Sequence, residues 1–294
     1  SGNYPYTNYL GTTPMTSVIL LLALAAITWL ALSPRLCPKF YHRFLFHPHK
    51  ELGEASEIET LVQTYGGTEY FFRTKAGHTL HAFSLGELAE KRPVLFYSMG
   101  KNGDIPRRAE ILAQLLKLPL TVFIYEYRGF GLSQGQPNLP GLVEDARESY
   151  DFLCQTLKVE AERIVLFGES LGGAVTAQLA GSRKAAAIIT KSTFASLNQI
   201  ARHQFPLLRL YPERLMLCPD WHSAQALARV NIPTLIVHGN KDRMIPVDHA
   251  HQIHQICSHC SRLLLLPEAR HSFMTDADNE SFAAGLTAFL NDLK

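Results

Sequence analysis

Residues 163–180 read RIVLFGESLGGAVTAQLA. The opening RIVLF is a short continuous apolar run, as expected of a strand buried on both faces of a sheet. The closing AVTAQLA suits a helix. Between them stand Gly168-Glu169-Ser170-Leu171-Gly172-Gly173. A turn this sharp from strand to helix holds its central serine at strained backbone angles, and glycines two residues on either side let neighbouring chain pass close by. Such a bend lifts the Ser170 hydroxyl out of the sheet. The start of the next helix also aims amide donors and the positive end of its dipole at the group the hydroxyl meets. G-x-S-x-G alone is a weak signal; the strand before it, the helix after it and the small residue at Gly173 make it a nucleophile-bearing turn.

Outward from this turn the pattern alternates. Candidate strands lie at 70–74, 79–84, 94–98, 120–125, 164–167, 186–190, 234–238 and 262–266, with helical spacing at 105–117, 142–158, 171–182, 247–256 and 282–293. The succession predicts an α/β fold: a doubly wound, mostly parallel eight-stranded sheet whose site gathers where strands end and loops begin. Residues 192–230 break the rhythm with apolar side chains crowded around three prolines, which predicts a short helical lid. The lid's apolar residues have two readings: walls of a hydrophobic acyl pocket, or packing against the sheet.

The elbow resembles that of the α/β-hydrolase superfamily, a similarity running from about Tyr70 to the C-terminus. The segment YEYRGFGLSQG (125–135), the lid opening Ser192-Thr193-Phe194 and an apolar N-terminus are similar to small-lid, membrane-tethered members, among them lysophospholipases and protein depalmitoylases. The family's chain order is serine, acid, histidine. On that resemblance the acid is Asp242, in the loop after PTLIVHG, and the base is His271, after RLLLLP. A serine hydroxyl needs a histidine to take its proton, and the histidine needs a carboxylate to fix its tautomer. Asp248, Asp276 and Asp278 read instead as helix-start residues, Asp220 as part of the lid, and His238 as a packing residue.

An oxyanion hole takes one amide from the residue after the nucleophile, Leu171, and one from the loop after the third strand. That loop is Tyr97-Ser98-Met99-Gly100-Lys101-Asn102-Gly103, where relatives carry His-Gly-x-x-Gly; the resemblance makes Lys101 the second donor and leaves Met99 in place of the histidine.

From Met15 to Leu32 the chain reads MTSVILLLALAAITWLAL, eighteen uncharged residues, the lower limit for a helix spanning about 30 Å of hydrocarbon. Ser33-Pro34 stops it. Tyr4, Tyr6, Tyr9, Phe40, Tyr41, Phe44 and Phe46 flank it as interfacial aromatics. The expectation is a single-pass membrane protein with an N-terminal tail and transmembrane helix (1–34), a juxtamembrane linker (35–65) and a hydrolase domain (66–294). Arg35, Lys39, Arg43 and Lys50 follow the segment, favouring a cytoplasmic catalytic domain if Ser1 to Pro14 is the natural flank.

With 294 residues, 47% of them apolar, and a net charge of +2, the chain can build a large core and lacks the basic footprint of a nucleic-acid binder. Five scattered cysteines (37, 154, 218, 257 and 260) do not form a disulfide framework. Cys257 and Cys260 lie beside His249, His251, His254 and His259; a His-rich surface helix is the plain reading, a zinc site the rival, and no metal or other cofactor is expected. The expected function is a membrane-anchored serine hydrolase cleaving acyl or lipid esters or thioesters. Its rivals are a peptidase or amidase of the same fold and a catalytically silent scaffold. Oligomeric state is not legible.

Overall fold

The computed structural model describes residues 14–46, 53–89, 91–102, 104–216, 221–257 and 260–293. Tyr4, Tyr6, Tyr9, Lys50, Gly103, Cys218, Asp220 and His259 lie outside the described residues, as do the side chains of Arg43 and Phe44.

The strands are β1 (Gly67–Arg73), β2 (Thr79–Leu85), β3 (Val94–Ser98), β4 (Thr121–Tyr125), β5 (Ile164–Glu169), β6 (Ala187–Lys191), β7 (Thr234–Gly239) and β8 (Ser261–Leu266). They form one eight-stranded sheet ordered β1-β2-β4-β3-β5-β6-β7-β8. The β1–β2 and β2–β4 pairings are antiparallel and the rest parallel. Every residue of β3 to β7 is buried, because helices cover both faces, and this is why those strands read as continuous apolar runs. The edge strand β1 is only partly covered and alternates instead.

The helices are α1 (Pro14–Ala31), α2 (Pro38–Leu45), α3 (Ala55–Tyr65), α4 (Ala109–Leu115), α5 (Leu139–Asp151), α6 (Leu171–Ala180), α7 (Leu197–Gln204), α8 (Ser223–Ala228), α9 (Asp248–Ile256) and α10 (Asp276–Asn291). Strand β5 lies between β3 and β6 in mid-sheet and α6 packs on β5, α5 and α8, so the turn at Ser170 stands at the end of a central strand. Helix α10 opens with a capping box in which Thr275 and Asp278 each accept the other's amide. The expected lid is α7 followed by single turns at Pro206–Leu210 and Glu213–Leu215.

The expectation of a transmembrane helix, and with it of a single-pass protein, requires correction. Helix α1 forms where expected, yet among the described residues no helix is long and apolar enough to cross a membrane. Its 18 residues at about 1.5 Å each reach about 27 Å, short of the roughly 30 Å hydrocarbon layer. After Ala31 the chain turns at the buried pair Ser33-Pro34 and enters α2. The orientation inferred from flanking basic residues loses its premise. From Met15 to Leu32 every residue is exposed, while the end of α1 rests on the lid, where Trp29 and Tyr211 stack.

Candidate active site

Ser170 has φ 55° and ψ −119°, the left-handed strain expected of the bend. Its amide donates to the Lys191 carbonyl at 2.9 Å and its carbonyl accepts from Thr193 Oγ1 at 2.7 Å, so both sides of the turn are clamped by β6 and the residues after it. The flanking glycines are required by space. A Cβ on Gly172 would lie 1.9 Å from the Ser98 carbonyl oxygen, and one on Gly168 2.4 Å from that of Gly172.

The chain brings Ser170, Asp242 and His271 together from three separate loops. His271 Nε2 stands 3.0 Å from Ser170 Oγ, and its Nδ1 2.7 Å from Asp242 Oδ2. The other oxygen of Asp242 accepts the amides of Met244 and Ile245, each at 2.9 Å. Burial alone would push this carboxyl up, but the hydrogen bond and charge of His271 and the Ile245 amide hold it below its ordinary value, so it stays ionised. Histidine 238, read from the sequence as packing, is buried and has a definite partner: its Nε2 donates to the Ile245 carbonyl at 2.8 Å, closing the turn that carries Asp242.

The loop after β3 lies against the nucleophile, with a Cβ on Gly100 placed 3.4 Å from that of Ser170. Met99, which by the resemblance stands where relatives carry histidine, is buried, and its carbonyl accepts from the Tyr127 hydroxyl at 3.2 Å. Arg108 Nη2 holds the Asn102 carbonyl of the same loop. Lys101, Leu171 and Ser170 line one cavity. As first residue of α6, Leu171 has an amide with no intrahelical acceptor.

That cavity, about 470 Å³, is bounded on the lid side by Phe194, Leu197, Ile200, Ala201 and Leu208 and by the N-terminal segment. Of the two readings of the lid, the pocket wall holds for these side chains, although Phe194, Leu197 and Ile200 also join the core. Among its described lining residues none carries a carboxylate.

A charged cluster beneath the elbow went unrecognised in the sequence. Glu169, next to the nucleophile, is bonded by Lys191 Nζ at 2.9 Å and by the Tyr97 hydroxyl at 2.9 Å, with Arg108 at 3.8 Å. Burial opposes its charge, but Lys191 and Arg108 overcome this and bring its pKa to about 2. The one trace was a lysine ending an apolar strand. The zinc reading at 257–260 finds no support in side-chain directions. Cys257 donates to the Ala224 carbonyl, His249 accepts the Ala195 amide, and His254 bonds Ser261. Among the described residues no group of three or more such side chains is placed to hold a metal.

Residues 89–217 match the family described as Serine aminopeptidase, S33. The uncharacterized protein Rv2307c of Mycobacterium tuberculosis is 31% identical over 200 residues, 68% of this chain and 70% of that protein. The alpha/beta hydrolase domain-containing protein WAV2 of Arabidopsis thaliana is 31% identical over 195 residues, 62% of this chain and 63% of its own. Among solved structures, the Pyrococcus furiosus esterase Pf2001 superposes with a TM-score of 0.67 at 15% identity, covering 84% of this chain and 98% of that one, a likeness of fold.

Proposed function

The chain belongs to the α/β-hydrolase superfamily, and on that premise we propose that it is a serine hydrolase cleaving carboxylic esters or thioesters of acyl chains through an acyl-enzyme on Ser170. The observation that carries this is the unbroken relay from Asp242 through His271 to Ser170 at the edge of an apolar cavity. Ser170 Oγ attacks the acyl carbonyl while His271 Nε2 takes its proton; Asp242 keeps the Nδ1 hydrogen in place and stabilises the imidazolium. The amides of Leu171 and Lys101 receive the charge on the carbonyl oxygen. His271 then protonates the departing alcohol or thiol, and water, deprotonated by the same imidazole, releases the acid.

The peptidase reading borrows from the family description, but a free amino terminus seeks a carboxylate and the described cavity lining offers none. The silent-scaffold reading has to explain an intact relay. Helix α1 seats the enzyme at a bilayer surface in this proposal: it is apolar and exposed from Met15 to Leu32, and an exposed apolar surface of that length marks a contact that lipid can cover.

A fluorophosphonate probe on the wild-type chain and on Ser170→Ala tests the assignment, followed by p-nitrophenyl esters, a palmitoyl thioester and an aminoacyl anilide. Labelling at Ser170 with ester or thioester turnover is expected; an unlabelled wild-type protein, or anilide turnover alone, overturns it.

A further inference from the structure

The cavity beside Ser170 is not closed by the strand-and-helix repeat. Its outer wall is Leu32, Pro34, Cys37, Phe40, Tyr41 and Leu45, from a segment that precedes the first strand. Three ties join this segment to itself and to the lid. The Arg35 amide donates to the Leu215 carbonyl at 3.0 Å. The Tyr211 hydroxyl donates to the Trp29 carbonyl at 3.1 Å, while the two rings stack at 4.9 Å with 9° between their planes. The Tyr41 hydroxyl donates to the Leu32 carbonyl at 2.7 Å, fixing the corner between α1 and α2. Lid and N-terminal segment form one roof.

The roof has an apolar rim. Leu32, Phe40, Phe205 and Leu207 line the cavity and yet are 55%, 52%, 43% and 77% exposed. Large apolar side chains grouped this way around an opening mark a contact surface, and Leu32 continues directly into the exposed helix α1. Two polar lining residues are already engaged: Asn198 bonds Glu213, and Gln204 bonds the Met244 carbonyl. Such walls suit a plain hydrocarbon tail.

We infer that residues 32–45 are the chain-selecting wall of the acyl site, and that the rim is a portal through which the acyl chain of a bilayer-resident ester or thioester reaches Ser170. This rests on the hydrolase reading and goes beyond it by assigning selectivity to residues outside the hydrolase repeat.

Alkyl fluorophosphonates carrying a terminal diazirine, one of butyl and one of hexadecyl length, test it on the full chain. Ser170 Oγ bonds to phosphorus, fluoride leaves, and the proton passes to His271; irradiation then marks where the tail lies. The hexadecyl probe is expected to cross-link to peptides 32–45 and 205–211, and the butyl probe to peptides near Ser170. Long-probe cross-links confined to other peptides, with Ser170 fully labelled, overturn the portal and leave the hydrolase standing; an unlabelled Ser170 overturns both. Kinetics supply a second measurement. Each methylene withdrawn from water is worth about fourfold in affinity, so the exposed-site variant Leu207→Glu is expected to lower kcat/KM for a palmitoyl ester in vesicles about tenfold more than for a soluble butyryl ester. An equal effect on both substrates refutes the portal.

Discussion

The imidazole of His271 stands 3.0 Å from the hydroxyl of Ser170, although 101 positions separate them in the chain. Strand β5 delivers one to the edge of the sheet and the loop after β8 the other, and the distance suits proton transfer without rearrangement.

The role proposed for Asp242 predicts the behaviour of Asp242→Asn. An amide fills the same space but holds the wrong histidine tautomer, so kcat for an ester is expected to fall by about 10³ to 10⁴ with the fold retained. Steady-state kinetics alongside circular dichroism check this; unchanged turnover removes Asp242 from the mechanism.

His249 predicts a pH-dependent stability. Burial, with the nearby charges of His238 and His203, lowers its pKa to about 4, and its Nδ1 accepts the Ala195 amide at 3.3 Å, which only the neutral ring can do. The unfolded value is about 6.5. Because the folded value is depressed, the unfolded chain takes the proton first, and stability present above pH 6.5 is lost as pH falls toward 4, by roughly 3 kcal/mol. Urea unfolding at pH 7 and pH 4.5 measures the loss. His249→Asn, which retains an acceptor and cannot charge, is expected to lessen it.

Lys191→Met leaves the Glu169 carboxylate without its nearest cation. Removing one partner of a buried pair costs about 3 kcal/mol or more, and the urea midpoint is expected to drop accordingly. Adding Glu169→Gln removes the stranded charge, so the double variant should be more stable than Lys191→Met alone. A midpoint for Lys191→Met equal to that of the wild type contradicts the pairing.

Gly172→Ala places a methyl group where the Ser98 carbonyl oxygen already sits, 1.9 Å away in undistorted geometry. The expected result is a loss of roughly 4 kcal/mol or failure to fold, measured by thermal unfolding. Gly181→Ala, whose Cβ would meet nothing closer than 3.5 Å, serves as the control and is expected to be benign.

Local chemistry made the sheet readable. Val94–Ser98 forms as expected to the residue, and the other strands lie within a few positions of their expected bounds, because strands covered on both faces must be apolar throughout. Helix bounds were less legible. The helix expected over 105–117 begins with a separate tight turn, Pro106–Arg108, and that over 142–158 starts earlier, at Leu139, then loosens into a wider π turn at Phe152–Thr156. Each of these turns is too short to display a period of its own, so the pattern could not distinguish them from the α-helix they adjoin.

The strand-turn-helix at Ser170 was written in one short stretch, because strained turns demand glycine, whereas Asp242 and His271 were picked out through the resemblance to a family whose chain order is serine, acid, histidine. Proximity between distant segments carries no such mark. The partnership of Glu169 with Lys191 and Arg108, the hold of His238 on the acid turn, and the docking of residues 32–45 onto the lid each join parts of the chain with no shared period. The N-terminus shows the division most sharply: its composition called for a helix meeting hydrocarbon, but only the folded chain places the end of that helix over the cavity that opens at Ser170. Burial and charge pairing are settled when segments pack together, and only there does a run of apolar residues become the wall of a site.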